Sequence, residues 1–188
     1  MNLPNKLSTI RIILVPIMVA TFYLTLIPCN YLITAIIFGV ASFTDFLDGY
    51  IARKYNLVTD LGKFLDSIAD KVLVLASFTI ILTVPEILAG SFGFLFYQLA
   101  GGIGVTIIVA RELIISFLRM IAAGKGKVLA AEKAGKIKTL VTDFAIVLLL
   151  LAKDFTFLFV PAIVLYIIAV VLTIYSGTYY LIKNRDIF

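Results

Sequence analysis

Six long apolar stretches run along the chain, over residues 7–28, 31–50, 65–84, 95–121, 139–152 and 155–182. A helix rises 1.5 Å per residue, so stretches of this kind suit crossing about 30 Å of hydrocarbon. The pattern predicts about six helices. The breaks between them carry turn residues or charge: Pro28 to Asn30, Arg53 to Gly62, Pro85 with Glu86, Gly124 to Gly135, and Lys153 with Asp154. None resembles a domain linker, and no fixed repeat period appears, so residues 1–188 read as one domain.

Composition sharpens this into a membrane assignment. Apolar residues make up 62% of the 188 and charged residues 14%, against roughly 45–50% and 25% in an ordinary soluble domain. The expected fold is all-α and polytopic. Lys6 and Arg11 ahead of an apolar run also fit a signal peptide, but no small-residue cleavage site follows.

Charge then orients the chain. Lys and Arg gather at Lys6 and Arg11, at Arg53, Lys54, Lys63 and Lys71, at Arg119 to Lys138, and at Lys183 and Arg185. Only Lys153 falls on an opposite-side turn. The positive-inside rule puts both termini and the loops after the second and fourth helices in the cytoplasm. The net charge of +5 brackets apolar spans instead of forming a soluble basic face, which argues against nucleic acid and for anionic head groups or phosphorylated substrates. A short, loop-poor chain without histidine fits the bacterial inner membrane. With Cys29 alone and no His, disulfides, zinc clusters and Ser-His-Asp triads are excluded, so any metal must be held by oxygen.

Candidate chemistry lies in four acids, Asp45, Asp48, Asp66 and Asp70, at the cytoplasmic ends of the second and third predicted helices. A carboxylate there is costly unless it is paired or bound to metal. Asp45 and Asp48 share one helix face, Asp66 and Asp70 share a face of the next, and a short loop brings the faces together. Such a set suits hard divalent cations such as Mg²⁺ or Mn²⁺, two better than one, as in two-metal phosphoryl chemistry. Gly49, Ala52, Gly62 and Ala69 lie on the same faces. They either leave room for a nucleotide or simply let helices pack closely.

Asp45, Asp48, Gly49, Ala52, Arg53, Gly62, Asp66 and Asp70 together reproduce the D-x2-D-G-x2-A-R-x8-G-x3-D-x3-D signature, and the chain resembles the CDP-alcohol phosphotransferase family. The resemblance implies a six-helix membrane fold, usually dimeric, acting on CDP-diacylglycerol. It implies that Asp45, Asp48 and Asp66 hold the metals and that Asp70 also serves as general base on the acceptor hydroxyl. It places Gly49, Ala52, Arg53 and Gly62 around the cytidine diphosphate; the bland alternative for Arg53 is a snorkelling helix-end charge. Pro4, Asn5, Leu7, Ser8 and Arg11 resemble the family's P-N-x-L-T-x-x-R opening, with Ser8 in place of Thr. Asn5 then contacts the nucleotide or caps the first helix, and Ser8 has the same two readings.

A second polar cluster, Arg111, Arg119, Lys136, Lys138 and Thr139, surrounds the cytoplasmic loop between the fourth and fifth predicted helices. Its cations suit a phosphorylated acceptor. Arg111 sits inside an apolar span and needs Glu112, Asp143 or a substrate phosphate as partner; a purely structural ion pair is the alternative. Lys125, Lys127 and Lys133 also read as plain positive-inside charge. Ala110 to Glu112, Gly135 to Thr139 and the ending from Ser176 to Phe188 are similar to the phosphatidylglycerophosphate synthase branch of the family. That likeness implies sn-glycerol 3-phosphate as acceptor, with its phosphate on the basic cluster; inositol phosphate, serine or phosphatidylglycerol would fit the same signature.

A cation transporter is the competing class, since intramembrane carboxylates mark those too. The acids, however, cluster near one membrane face and occur only in the second and third predicted helices. Gly102 and Gly104 lack the third glycine of a dinucleotide fingerprint, and Gly135-Lys136 lacks the rest of a P-loop.

Overall fold

A computed structural model describes residues 3–55, 59–90, 92–125 and 133–185, excepting the side chains of Leu3, Pro4, Tyr50, Ala52, Arg53, Asp60, Leu61, Lys63 and Lys133. The described residues are helical, with no strand among them. Helices α1 (Leu3–Tyr23), α2 (Asn30–Lys54), α3 (Asp60–Leu82), α6 (Val105–Gly124), α7 (Lys133–Asp154) and α8 (Phe159–Lys183) form the long elements. Two short ones, α4 (Pro85–Ala89) and α5 (Phe94–Tyr97), lie between α3 and α6.

The fourth apolar stretch is more elaborate than the sequence pattern suggests. Between α5 and α6 the chain runs through a π-helical segment, Gln98–Gly104. Within this wider turn, Tyr166 of α8 donates its hydroxyl to Ala100 O at 2.5 Å. Gly104 makes this approach possible, because a Cβ there would collide with the Tyr166 hydroxyl.

The core runs along the inner faces of the long helices. Met18, Phe22, Phe38, Phe78, Ile81, Ile108, Ile146, Leu149 and Tyr166 are all essentially without exposed surface. α1 packs on α2 and α3, and α7 packs on α2 and α8. Outward, the same helices present Phe43, Phe46, Phe117, Phe144 and Val171, each more than half exposed. Large apolar side chains on the outside of nearly every helix are what a lipid solvent requires and water penalises. Polar side chains within these helices turn back on their own backbone, as Ser77 to Leu73 O and Thr173 to Ala169 O do.

Among the described residues, three segments, Asn5–Tyr23, Asn30–Gly49 and Thr156–Lys183, are long and apolar enough to cross a membrane. The remaining long helices carry charge within their apolar length: Asp66, Asp70 and Lys71 on α3, Arg111, Glu112 and Arg119 on α6, Lys138 and Asp143 on α7. Together with Arg11, Asp45 and Asp48, most of those charges build the site.

The two ends of the bundle differ. At the start of α2, Leu32 N donates to Asp154 Oδ2 at 2.9 Å, and nearby Lys153 pairs with Glu86 at 3.7 Å. The Asp45 and Asp48 end of α2 lies far from this contact, beside the beginnings of α1 and α3. Lys153 is therefore at the opposite end of the bundle from the acids.

Candidate active site

Three helices meet at Arg11. Its side chain has no exposed surface. Nε donates to Ala41 O at 3.2 Å, Nη2 donates to Asp48 Oδ2 at 2.7 Å, and Nη1 lies 2.7 Å from Asp45 Oδ1 and 3.2 Å from Asp66 Oδ1. Ser8, one turn earlier on α1, donates to Asp48 Oδ2 at 3.2 Å. The guanidinium thus serves as the shared counter-charge that lets α1, α2 and α3 converge with their acids inward.

One oxygen from each of Asp45, Asp48 and Asp66 lies within 4.8 Å of the others. Three carboxylates and one guanidinium leave a surplus of two negative charges, and every donor is a hard oxygen. A divalent cation fits that charge and that donor set. Asp48 is 3% exposed, whereas Asp45 and Asp66 are 40% and 45% exposed, so the cluster opens to solution on one side.

Gly62 begins α3 at the same place. Thr59 caps this helix by accepting Gly62 N at 3.0 Å, and its hydroxyl also meets Asn5 Nδ2 at 3.3 Å. A Cβ on Gly62 would strike Asn5 Oδ1 and come within 2.9 Å of Thr59 Oγ1. The missing side chain therefore makes room for Asn5, and Asn5 ties α1 to the start of α3. Gly49 follows Asp48 and is partly buried; the side chains of Ala52 and Arg53 lie outside the described residues.

Asp70 falls outside the trio whose oxygens lie within 4.8 Å of one another, though it is close enough to act electrostatically on Asp45. It lines a polar cavity of about 170 Å³ between α3, α6 and α7, together with Lys71, Arg111, Glu112, Ser116, Arg119, Gly135, Lys136 and Thr139. Four of the five residues predicted to hold an acceptor phosphate meet here. Lys138 does not line the cavity. It is buried behind it, with its ammonium on Glu112.

Glu112 is the hub that the sequence identifies only as a candidate partner of Arg111. Its Oε1 takes Arg111 Nη1 at 3.1 Å as well as Lys138 Nζ. Arg111 Nη2 also donates to Ser176 Oγ at 3.2 Å, its Nε is buried without a partner among the described residues, and Gly177 leaves room for its stem. Asp143, the other candidate partner of Arg111, instead accepts from Ser42 at 2.7 Å and joins α7 to α2. Arg119 donates to the Tyr180 hydroxyl at 3.2 Å and lies over its ring. Lys127 and the side chain of Lys133 lie outside the described residues.

Two apolar grooves border this polar centre. One, between α3 and α6, includes Val72, Leu75, Val109 and Leu113 and reaches Asp70 and Glu112. The other, between α2 and α7, includes Phe38, Phe43, Phe144 and Val147 and reaches Asp143.

Comparison with known proteins agrees with this architecture. The chain is 39% identical over 198 aligned residues to the CDP-diacylglycerol–glycerol-3-phosphate 3-phosphatidyltransferase of Bacillus subtilis (strain 168), covering 98% of this chain and 96% of that protein. It is 37% identical to the protein of the same name from Haemophilus influenzae, over 96% of this chain and 91% of the relative. With that from Rickettsia bellii it shares 36% identity, over 95% and 93%. The model of the CDP-alcohol phosphatidyltransferase family matches residues 1–175, a stretch that holds the acidic cluster and the polar cavity alike. The chain is an integral-membrane member of the CDP-alcohol phosphatidyltransferase family.

Proposed function

We propose that the chain transfers the phosphatidyl group of CDP-diacylglycerol to sn-glycerol 3-phosphate, giving phosphatidylglycerophosphate and CMP. The observation that carries this reading is the position of Asp70, on the wall of a cavity whose other walls supply Arg111, Arg119, Lys136 and Thr139. A phosphorylated alcohol seated on those cations brings its hydroxyl towards a carboxylate. The names of the relatives point to the same pair of substrates.

In this mechanism Arg119, Lys136 and Thr139 bind the phosphate of the acceptor, with Arg111 beside them. Asp70 takes the proton of its primary hydroxyl as the oxygen attacks the β-phosphorus of CDP-diacylglycerol. The new P–O bond forms as the bond to CMP breaks, in line and without a covalent enzyme intermediate. Asn5, Gly49, Ala52, Arg53 and Gly62 surround the cytidine diphosphate in this reading. Asp45, Asp48, Asp66 and Asp70 would hold two Mg²⁺ or Mn²⁺ ions. Such ions, when bound, neutralise the diphosphate and the charge gathering on the departing CMP.

The lipid half of the substrate fits the surroundings. Each methylene drawn from hydrocarbon into water costs about 0.8 kcal/mol, so diacylglycerol stays in the bilayer and enters through a lateral opening between helices. The apolar grooves that reach Asp70 and Asp143 support that route. The same reading has six membrane crossings, both termini and the active site on the cytoplasmic face of a bacterial inner membrane, and a homodimer. Residues 1–188 act as one catalytic domain.

The test is CMP release from CDP-diacylglycerol by the purified protein with Mg²⁺ or Mn²⁺, comparing glycerol 3-phosphate, inositol phosphate, serine and no acceptor. Release that depends on glycerol 3-phosphate supports the assignment. Release with another alcohol keeps the chemistry and changes the acceptor, and release with none of them overturns it.

A further inference from the structure

The acceptor cavity is lined by both cations and carboxylates. Arg119 lies two helical turns beyond Glu112 on α6, about 10 Å along the axis, and Lys136 and Thr139 of α7 line the same cavity. Two carboxylates from different helices, Asp70 and Glu112, line it as well. A phosphate belongs on the cations, and a carboxylate accepts hydrogen bonds from hydroxyls.

The two carboxylates are not equivalent. Glu112 Oε1 receives both Arg111 and Lys138, which fixes the side chain, while Oε2 accepts no hydrogen bond among the described residues. An ionised carboxylate held by two cations, with one oxygen still unsatisfied and its residue on a cavity wall, is a pre-oriented acceptor for a ligand O–H.

We infer that Glu112 is a specificity-determining residue that receives the secondary hydroxyl of sn-glycerol 3-phosphate, leaving the primary hydroxyl to Asp70. The inference rests on the reaction proposed above and adds to it the reason this cavity selects a vicinal diol phosphate over a simple hydroxyalkyl phosphate. Arg111 and Lys138 act through Glu112 as positioning residues: they hold Oε1 so that Oε2 faces the ligand.

The experiment compares sn-glycerol 3-phosphate with 3-hydroxypropyl phosphate, which keeps the phosphate and the primary hydroxyl and lacks the secondary one, using purified full-length protein and CDP-diacylglycerol in mixed micelles. The wild type is expected to prefer glycerol 3-phosphate by about 10- to 100-fold in kcat/KM, the range set by one charge-assisted hydrogen bond. In Glu112→Gln the amide oxygen still serves Arg111 and Lys138, but a donor replaces the free acceptor, and the preference is expected to shrink about tenfold with KM for CDP-diacylglycerol unchanged. A merely structural Glu112 would slow both acceptors in parallel; an unchanged ratio in Glu112→Gln, or a wild type indifferent to the missing hydroxyl, overturns the inference. Where Glu112→Gln turns over neither acceptor, calorimetric binding of the two phosphates to the variant reads the same ratio. A wild type that releases no CMP with either acceptor overturns the reaction itself, and that result is distinct from all the others.

Discussion

Arg11 Nη2 sits 2.7 Å from Asp48 Oδ2, with the arginine wholly enclosed and the aspartate 3% exposed, across 37 residues of chain. An ion pair shut off in this way is held by mutual need: neither partner can be removed without stranding the other's charge. Arg11 also carries Asp45 and Asp66, so its loss strands three carboxylates at once.

Replacing Arg11 by Met is therefore expected to cost about 3–5 kcal/mol, the usual penalty for breaking a buried pair from one side. Thermal unfolding in detergent should show a large fall in Tm, and added Mg²⁺ or Mn²⁺ should restore more of it in Arg11→Met than in the wild type, because the cation then takes over the neutralising role. An unchanged Tm would mean that the acids converge without Arg11.

The place of Asp70 outside the converging trio and on the wall of the acceptor cavity predicts two distinct phenotypes. Asp70→Asn keeps the trio and its counter-charge, so metal-dependent binding of CDP-diacylglycerol should survive while turnover falls by at least about 10³-fold, a loss on the scale of general-base catalysis. Asp45→Asn removes a member of the trio and should weaken both binding and turnover. Equilibrium binding of the liponucleotide, measured beside CMP release, separates the two; equal and normal activity in both variants would sink the mechanism.

Part of the site is legible in the sequence for clear physical reasons. Charged residues inside apolar stretches are costly wherever they occur, so Asp45, Asp48, Asp66 and Arg111 stand out from the pattern of residues alone. The same reasoning applied to Arg11, which lies inside the run from Leu7 to Val15, points to an acidic partner; its place near the N-terminus gives it the look of orienting charge instead. Periodicity groups Asp70 with Asp66 because they share a helix face, but it does not show that Asp70, one turn deeper, also lines the cavity walled by α6 and α7. Which neighbour a helix face meets is a matter of packing that period alone does not carry. The π-helical turn at Gln98–Gly104 escapes the sequence pattern for a related reason: its stabilising hydroxyl comes from Tyr166, distant in sequence.

Lys136 and Lys138 are alike in the sequence and differ in the structure. Lys136 is exposed on the cavity wall, so Lys136→Ala should raise KM for glycerol 3-phosphate about tenfold or more with little change for CDP-diacylglycerol. Lys138 is 2% exposed against Glu112, and Lys138→Ala should lower Tm as well as activity by leaving that carboxylate under-compensated. Steady-state kinetics with each substrate varied, together with thermal unfolding, distinguishes the pair. Identical profiles for the two variants would contradict these positions.

Gly62→Ala tests the junction of α1 and α3. The added methyl meets Asn5 Oδ1 and the capping hydroxyl of Thr59, so either Asn5 moves or the cap opens; losing the cap costs about 1 kcal/mol. A lower Tm with an increased KM for CDP-diacylglycerol is the expected result. Asn5→Ala in the same background should recover stability by vacating the space, and failure of that second change to help would show that the clash is not with Asn5.

Tyr166→Phe probes the π-helical turn without touching the site. The ring has almost no exposed surface, so the substitution keeps the packing while withdrawing the hydroxyl that donates to Ala100 O. Losing that hydrogen bond costs about 1 kcal/mol, and the loss should appear in Tm. Arg111 and Glu112 lie on the helix that this turn leads into, roughly two turns further along. If the turn sets the rotation of α6, Tyr166→Phe also raises KM for the acceptor, because both side chains swing relative to α7; if KM stays constant while Tm falls, the packing of α6 against α8 fixes that rotation by itself.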